Sequence, residues 1–139
     1  MLFLTKLYYM QQSLSSLFIA PSKLGGRGVF TSKAISKGSI IEISPVIVMP
    51  KKDRKHMDDT KLHDYYFIWG EQDDQCAIVL GYGSLYNHAY TPNAEYAPDF
   101  KSATLDFYAL FDIKAGEEIT VNYSGDPSGH IPLWFKDKK

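Results

Sequence analysis

The sequence predicts a mostly β domain, built from many short strands with one or two helical turns. Three observations carry that reading. From Ala103 to Ile113 the chain alternates: Leu105, Phe107, Ala109, Phe111 and Ile113 share one face, while Thr104, Asp106, Tyr108 and Asp112 share the other. That is the period of a half-buried strand. No long amphipathic helical pattern occurs, which argues against a parallel βαβ nucleotide-binding architecture. Finally, Ile35-x-x-Gly38-x-x-Ile41-x-Ile43 recurs as Ile113-x-x-Gly116-x-x-Ile119-x-Val121, which predicts two small β-ribbons of similar build.

Taken in order, residues 1–15 are moderately apolar but are interrupted by Lys6, Gln11, Gln12 and serines. No apolar run there approaches a membrane-spanning length or a secretory signal, so an N-terminal arm is expected. Leu17 to Ala20, then Pro21 and Gly25-Gly26-Arg27-Gly28, then Val29-Phe30, read as strand, turn, strand. Ile40 to Ile43 and Val46 to Met49 read as two short strands divided by Pro45. Lys51 to Lys61 is charged and lacks apolar periodicity, so a solvated loop is expected. Asp58 and Asp59 suit the start of a short helix carrying Leu62, Tyr65 and Tyr66.

Composition narrows the function classes. The 139 residues are 45% hydrophobic and 22% charged, as expected of one globular domain with a core of its own. The net charge of −1 and pI near 6.4 give no broad basic surface, so direct nucleic-acid binding is not expected. Cys76 is the single cysteine, which excludes a disulfide framework and a Cys-cluster zinc site and fits a reducing compartment such as the cytosol. His56, His63, His88 and His130 have no ligand-like spacing, and no metal site is expected.

Three segments carry the chemistry: Gly26-Arg27-Gly28-Val29-Phe30, Asn87-His88-x-x-x-Pro92-Asn93, and Gly116-Glu117-Glu118-Ile119-Thr120-Val121-Asn122-Tyr123. Singly each reads as an ordinary turn or loop. In this order and spacing they resemble the signature of SET-domain protein-lysine methyltransferases, over about Leu17 to Tyr123. The length is similar to that of the minimal viral and bacterial members. The resemblance implies the SET (β-clip) fold over residues 16–124: several small curved sheets, with the Tyr123 segment threaded under the Asn87-His88 loop as a C-terminal pseudoknot. It implies S-adenosylmethionine as methyl donor, leaving S-adenosylhomocysteine. Gly26, Arg27 and Gly28 would meet the donor's methionine end, and Asn87 and His88 its amino-acid and adenine parts. Tyr123 would orient both the methyl and the amine.

Such chemistry asks mostly for alignment, since methyl transfer to an amine is an in-line displacement. A lysine ammonium near pKa 10.4 must also lose its proton near pH 7, at a cost of roughly 4–5 kcal/mol. A dry, aromatic channel and a neighbouring sulfonium both favour the neutral amine. Tyr65 and Tyr96 are the expected channel walls, and Val121, two residues before Tyr123, is a further candidate lining residue that with Tyr96 suggests mono- or dimethylation.

The chain departs from the family pattern in two places. The Asn87-His88 loop lacks the cysteine that joins a zinc site in many members, so no zinc is expected. Tyr123 is followed by Ser124-Gly125-Asp126-Pro127 and not by a second tyrosine. Trp134 or Phe135, in a C-terminal segment 125–139 that closes the site, would then replace it, closing the channel or covering the adenine. The expected partner is a lysine-containing protein such as a histone or another basic protein, with no membrane partner. A homodimer is a further expectation, as is a cytoplasmic location, or a host nucleus for a viral protein or an effector. The competing reading is a catalytically inactive SET-fold domain that binds other proteins.

Overall fold

The structure, a computed structural model, describes Leu4 and residues 16–129. Two sheets make up the fold. The first contains β1 (Leu17–Pro21), β2 (Arg27–Thr31), β6 (Asn87–His88) and β9 (Glu118–Val121), in the order β1-β2-β9-β6. The second contains β3 (Ile40–Met49), β4 (Phe67–Trp69), β5 (Gln75–Val79), β7 (Ala94–Asp99) and β8 (Thr104–Ala109), in the order β4-β5-β3-β8-β7. The expected mostly β fold is what forms.

The sequence echo marks a local two-fold. Ile35 and Ile113 exchange both backbone hydrogen bonds, at 2.8 Å each. Gly38 N–H donates to the Ala109 carbonyl and Ala109 N–H to that of Ser39. In the other unit Gly116 N–H donates to the Thr31 carbonyl and Thr31 N–H to that of Glu117. Each unit thus clips its turn onto the strand that precedes the other. Both turns need a left-handed residue, with φ at 81° for Gly38 and 86° for Gly116, where a side chain would be strained. The strands leaving the turns bury Ile41 and Ile43 in one unit and Ile119 and Val121 in the other. Ile41, Ile119 and Val121 pack with Val29, Leu105, Phe107 and Ile113 in the core.

β9 lies between β2 and β6, antiparallel to the first and parallel to the second. Asn93 reinforces that insertion as a side-chain mimic of a strand edge. Its amide nitrogen donates to the Glu118 carbonyl at 2.8 Å, and its amide oxygen accepts from Thr120 N–H at 2.9 Å.

Four local expectations are corrected. Pro45 does not divide two strands: β3 runs unbroken through it, pairing with β8 up to Pro45 and with β5 from Val46 onward. The proline stands where the strand changes partner, a position that tolerates a missing N–H. Lys51–Asp58 is an α-helix (α1) and not a loop. It buries no residue, so it has no apolar stripe for a periodicity argument to find. Asp58 ends this helix instead of starting the next; its carboxylate accepts from the Tyr66 hydroxyl at 2.7 Å and contacts His63 Nδ1 at 2.8 Å. The following 3-10 turn, Lys61–Asp64, is capped by Thr60. Lastly, β8 stops at Ala109, because the chain leaves the sheet to form the Ile35–Ile113 clip, and Phe111 is left 58% exposed.

Candidate active site

The β1–β2 hairpin, β6 and β9 bring the three sequence segments together. The turn into β2 places Gly25 and Gly26 at positive φ, and Gly28 follows in the strand. A Cβ on Gly28 would overlap the Glu118 carboxylate and lie 2.9 Å from Asn87 Nδ2. That tightness exists because one polar clasp joins all three segments. Asn87 Nδ2 donates to the Arg27 carbonyl at 3.1 Å and to Glu118 Oε1 at 2.7 Å, while Ser22 Oγ donates to Glu118 Oε2 at 2.7 Å. Gly26 and Arg27 are exposed at the rim.

Next along β6, His88 is buried, and its Nδ1 accepts from Tyr123 N–H at 3.1 Å. Accepting there means that Nδ1 carries no proton. The His88 ring also packs edge-on against Tyr90 at 4.5 Å and tilted against Tyr123 at 5.2 Å between centroids.

Tyr123 stands two residues beyond the end of β9. The phenol donates to the Tyr86 carbonyl at 2.8 Å, and the Tyr96 hydroxyl donates to the Tyr123 carbonyl at 3.1 Å. Burial, reinforced by Tyr65 and Glu118, pushes the Tyr123 phenol up to about 12. Burial beside Tyr123 does the same for Tyr96, also to about 12. Both stay neutral near pH 7.

These tyrosines line a cleft of about 580 Å³, within the range of small-molecule and side-chain sites. Tyr65, Phe67, Trp69, Tyr86, Tyr96, Leu105 and Tyr123 form its walls, and the exposed Asp64 and Asp73 also line it. Phe67 meets Tyr96 edge-on at 5.2 Å, which braces the wall.

The structure therefore brings Arg27, Gly28 and Asn87 together at the Glu118 clasp with Gly26 at its rim, sets His88 against Tyr123, and lines one cleft with Tyr65, Tyr96 and Tyr123. Val121 is a correction: it is 1% exposed, lies in the core beside Ile119, and does not line the cleft. The strand period decides this, since Val121 pairs with His88 and turns inward. Trp134 and Phe135 lie outside the described residues, as does the N-terminal arm except for Leu4. Glu118 went unnoticed in the sequence because Gly-Glu-Glu before a strand reads as an exposed turn. Asn93 carried a signal, its place in the Asn-His segment, but no role. Among the described residues no group of His, Cys, Asp or Glu could hold a metal ion, and no helix is long and apolar enough to cross a membrane.

Comparison with known proteins decides the family. The family described as the SET domain matches residues 26–124. This chain is a SET-domain protein. Over 125 residues, 89% of this chain and 80% of its relative, the SET protein is 35% identical to the histone-lysine N-methyltransferase, H3 lysine-37 specific, of Schizosaccharomyces pombe. A Plasmodium falciparum protein provisionally described as a histone methyltransferase matches its fold with a TM-score of 0.63 at 32% identity, over 87% of this chain and 97% of that one. The Polycomb Repressive Complex 2 of Chaetomium thermophilum, solved with S-adenosylmethionine, shares the fold at 22% identity with a TM-score of 0.68, over 78% of this chain and 15% of that one. The SET domain and a relative of this similarity make the chain a protein-lysine methyltransferase.

Proposed function

We propose that this SET domain moves a methyl group from S-adenosylmethionine to the side-chain amine of a lysine in a histone or a similarly basic protein, with Tyr123 orienting both groups. One observation carries the reading: Tyr123 is bonded through its backbone to His88, the neighbour of the clasped Asn87, and itself lines the aromatic cleft.

The residues suit that donor. Gly26 has φ of 60° and nothing within 4 Å of where a Cβ would stand, so backbone is presented openly beside Asn87. Asn87 spends its amide nitrogen on Arg27 and Glu118, leaving its carbonyl oxygen for a ligand. Gly26, Arg27, Gly28, Asn87 and His88 would hold the donor, which supplies an electrophilic methyl on a sulfonium sulfur.

The chain's own residues do the rest. Four lysine methylenes entering the cleft would gain about 3 kcal/mol, at roughly 0.8 kcal/mol per methylene. Asp64 and Asp73, exposed and lining the cleft, outnumber Arg54 there and favour a cationic segment. Tyr123 is no base, because a phenol held near 12 is only about 1 part in 100,000 ionised at pH 7. Its proton is committed to the Tyr86 carbonyl, so toward substrate its oxygen acts as an acceptor that aims an amine N–H or a methyl C–H. Deprotonation of the lysine then rests on the aromatic walls, which disfavour the charged amine. The lone buried Cys76 supports a reducing location such as the cytoplasm, with nuclear access if histone is the substrate; cell fractionation tests this.

Purified protein, labelled S-adenosylmethionine and recombinant histones should give labelled methyl-lysine. Tyr123→Phe should lower kcat about 100-fold, the scale of losing one aligned transition-state contact, with little change in KM for either substrate. Full activity in that variant removes Tyr123 from the chemistry, and absence of S-adenosylmethionine binding by calorimetry defeats the whole reading.

A further inference from the structure

Glu42 lies outside the cleft and outside the three family segments, yet it is 1% exposed near the start of β3. A buried carboxylate is costly unless its oxygens are satisfied. Here each oxygen holds one point of the loop that leads to Asn87 and His88. Oε1 accepts from the Tyr86 hydroxyl at 2.8 Å, and Oε2 accepts from Tyr82 N–H at 3.0 Å. The loop closes tightly over the acid: a Cβ on Gly81 would overlap Oε2. Tyr86 itself is 1% exposed, and its ring packs at a tilt against Phe107 with centroids 4.6 Å apart. Its backbone carbonyl is the acceptor for the Tyr123 phenol.

We infer that Glu42 is a positioning residue for methyl transfer. Its buried carboxylate sets the place of Tyr86, and thereby the direction of the Tyr123 hydroxyl, without touching substrate or donor. Burial disfavours the charged carboxylate and raises its pKa, while the Tyr82 and Tyr86 hydrogen bonds oppose that shift. The acid is therefore kept at a cost, which an apolar side chain in β3 would avoid. The inference rests on Tyr123 being the central residue of the proposed chemistry, and the test separates the two.

Three variants of the full chain carry it: Tyr86→Phe, Glu42→Gln and the double variant, with Tyr123→Phe alongside. Tyr86→Phe removes one oxygen and keeps the carbonyl. Glu42→Gln presents only one acceptor where two N–H or O–H donors converge. Each single variant is expected to lower kcat at least fivefold with KM for S-adenosylmethionine within twofold of wild type. The double variant should fall within twofold of the worse single, since both break one chain of contacts. A second readout is independent of turnover: the Tyr123 titration, followed by NMR of ring-labelled tyrosine. Released from the Tyr86 carbonyl, the phenol should titrate at least 0.5 unit lower than in wild type in Tyr86→Phe. Additive losses in kcat, or an unmoved Tyr123 titration in folded Tyr86→Phe, overturn the inference. If Glu42→Gln does not fold, Tyr86→Phe alone decides through both readouts. If Tyr123→Phe keeps full activity, the proposed chemistry fails, while the titration still decides whether Glu42 and Tyr86 aim the phenol.

Discussion

Gly28→Ala tests the clasp that joins the three segments. Gly28 has no positive φ, so alanine meets no backbone penalty and should gain a few tenths of a kcal/mol from a less flexible unfolded chain. Any loss is then steric. The new Cβ would overlap Glu118 Oε1 and lie 2.9 Å from Asn87 Nδ2, in a strand already paired with β1 and β9. The backbone has little room to retreat, so Glu118 must move. Its two contacts, from Asn87 and Ser22 at 2.7 Å each, are then lost or stretched. Hydrogen bonds to a charged group contribute about 1.5–3 kcal/mol each; the low end suits a half-buried carboxylate, which gives about 3 kcal/mol. For a domain of this size that is roughly 10 °C in Tm, together with at least tenfold weaker S-adenosylmethionine binding. Differential scanning calorimetry and titration calorimetry measure both. Gly26→Ala is the control, with φ of 60° and open space, and should cost only about 1 kcal/mol of backbone strain. A Gly28→Ala protein with wild-type Tm and wild-type donor affinity would refute the clasp.

Asn93→Ala deletes both hydrogen bonds that clamp β9 and should cost about 2 kcal/mol, read as roughly 7 °C in Tm and faster amide exchange across Glu118–Val121. A shift under 2 °C would show that β6 and β2 alone secure the strand. Tyr96→Phe removes the donor to the Tyr123 carbonyl, which should cost about 1 kcal/mol of stability, and it widens the channel by one hydroxyl. Mass spectrometry should show more highly methylated product than the mono- or dimethyl-lysine expected of the native enzyme; an unchanged distribution would count against Tyr96 as a wall. Because burial raises the Glu42 pKa above its ordinary 4.5, the folded state binds more protons than the unfolded state just above that pH, and stability falls as pH rises through that window. Glu42→Gln should lack this decline, so Tm of wild type minus Tm of the variant should shrink from pH 4.5 upward. A constant difference would mean that Glu42 titrates normally.

The alternation of Leu105, Phe107 and Ala109 was legible because one strand face is buried and the period is local. The paired Ile-Gly-Ile units were legible as a repeat, yet nothing in their letters says that they clip to each other; that is a contact across 78 positions of chain, from Ile35 to Ile113. Helix α1 was invisible for the opposite reason, since it buries nothing and so leaves no pattern. Val121 was misplaced because nearness to Tyr123 in sequence says nothing about facing, which the strand period decides. Glu42 left a faint mark, one acid inside the apolar run Ile40 to Ile43, but its partners lie some forty residues away.

By itself the sequence determined the family, and it brought forward the glycines, the asparagine, the histidine and the tyrosine that the proposed chemistry uses. Those properties reside in residue type and short-range spacing. Only the tertiary structure decided how they meet. It inserts β9 between β2 and β6, turns the Tyr123 phenol onto the Tyr86 carbonyl, and ties that carbonyl's residue to Glu42. Hydrogen-bond direction and burial arise from packing between distant segments, and no local pattern encodes them.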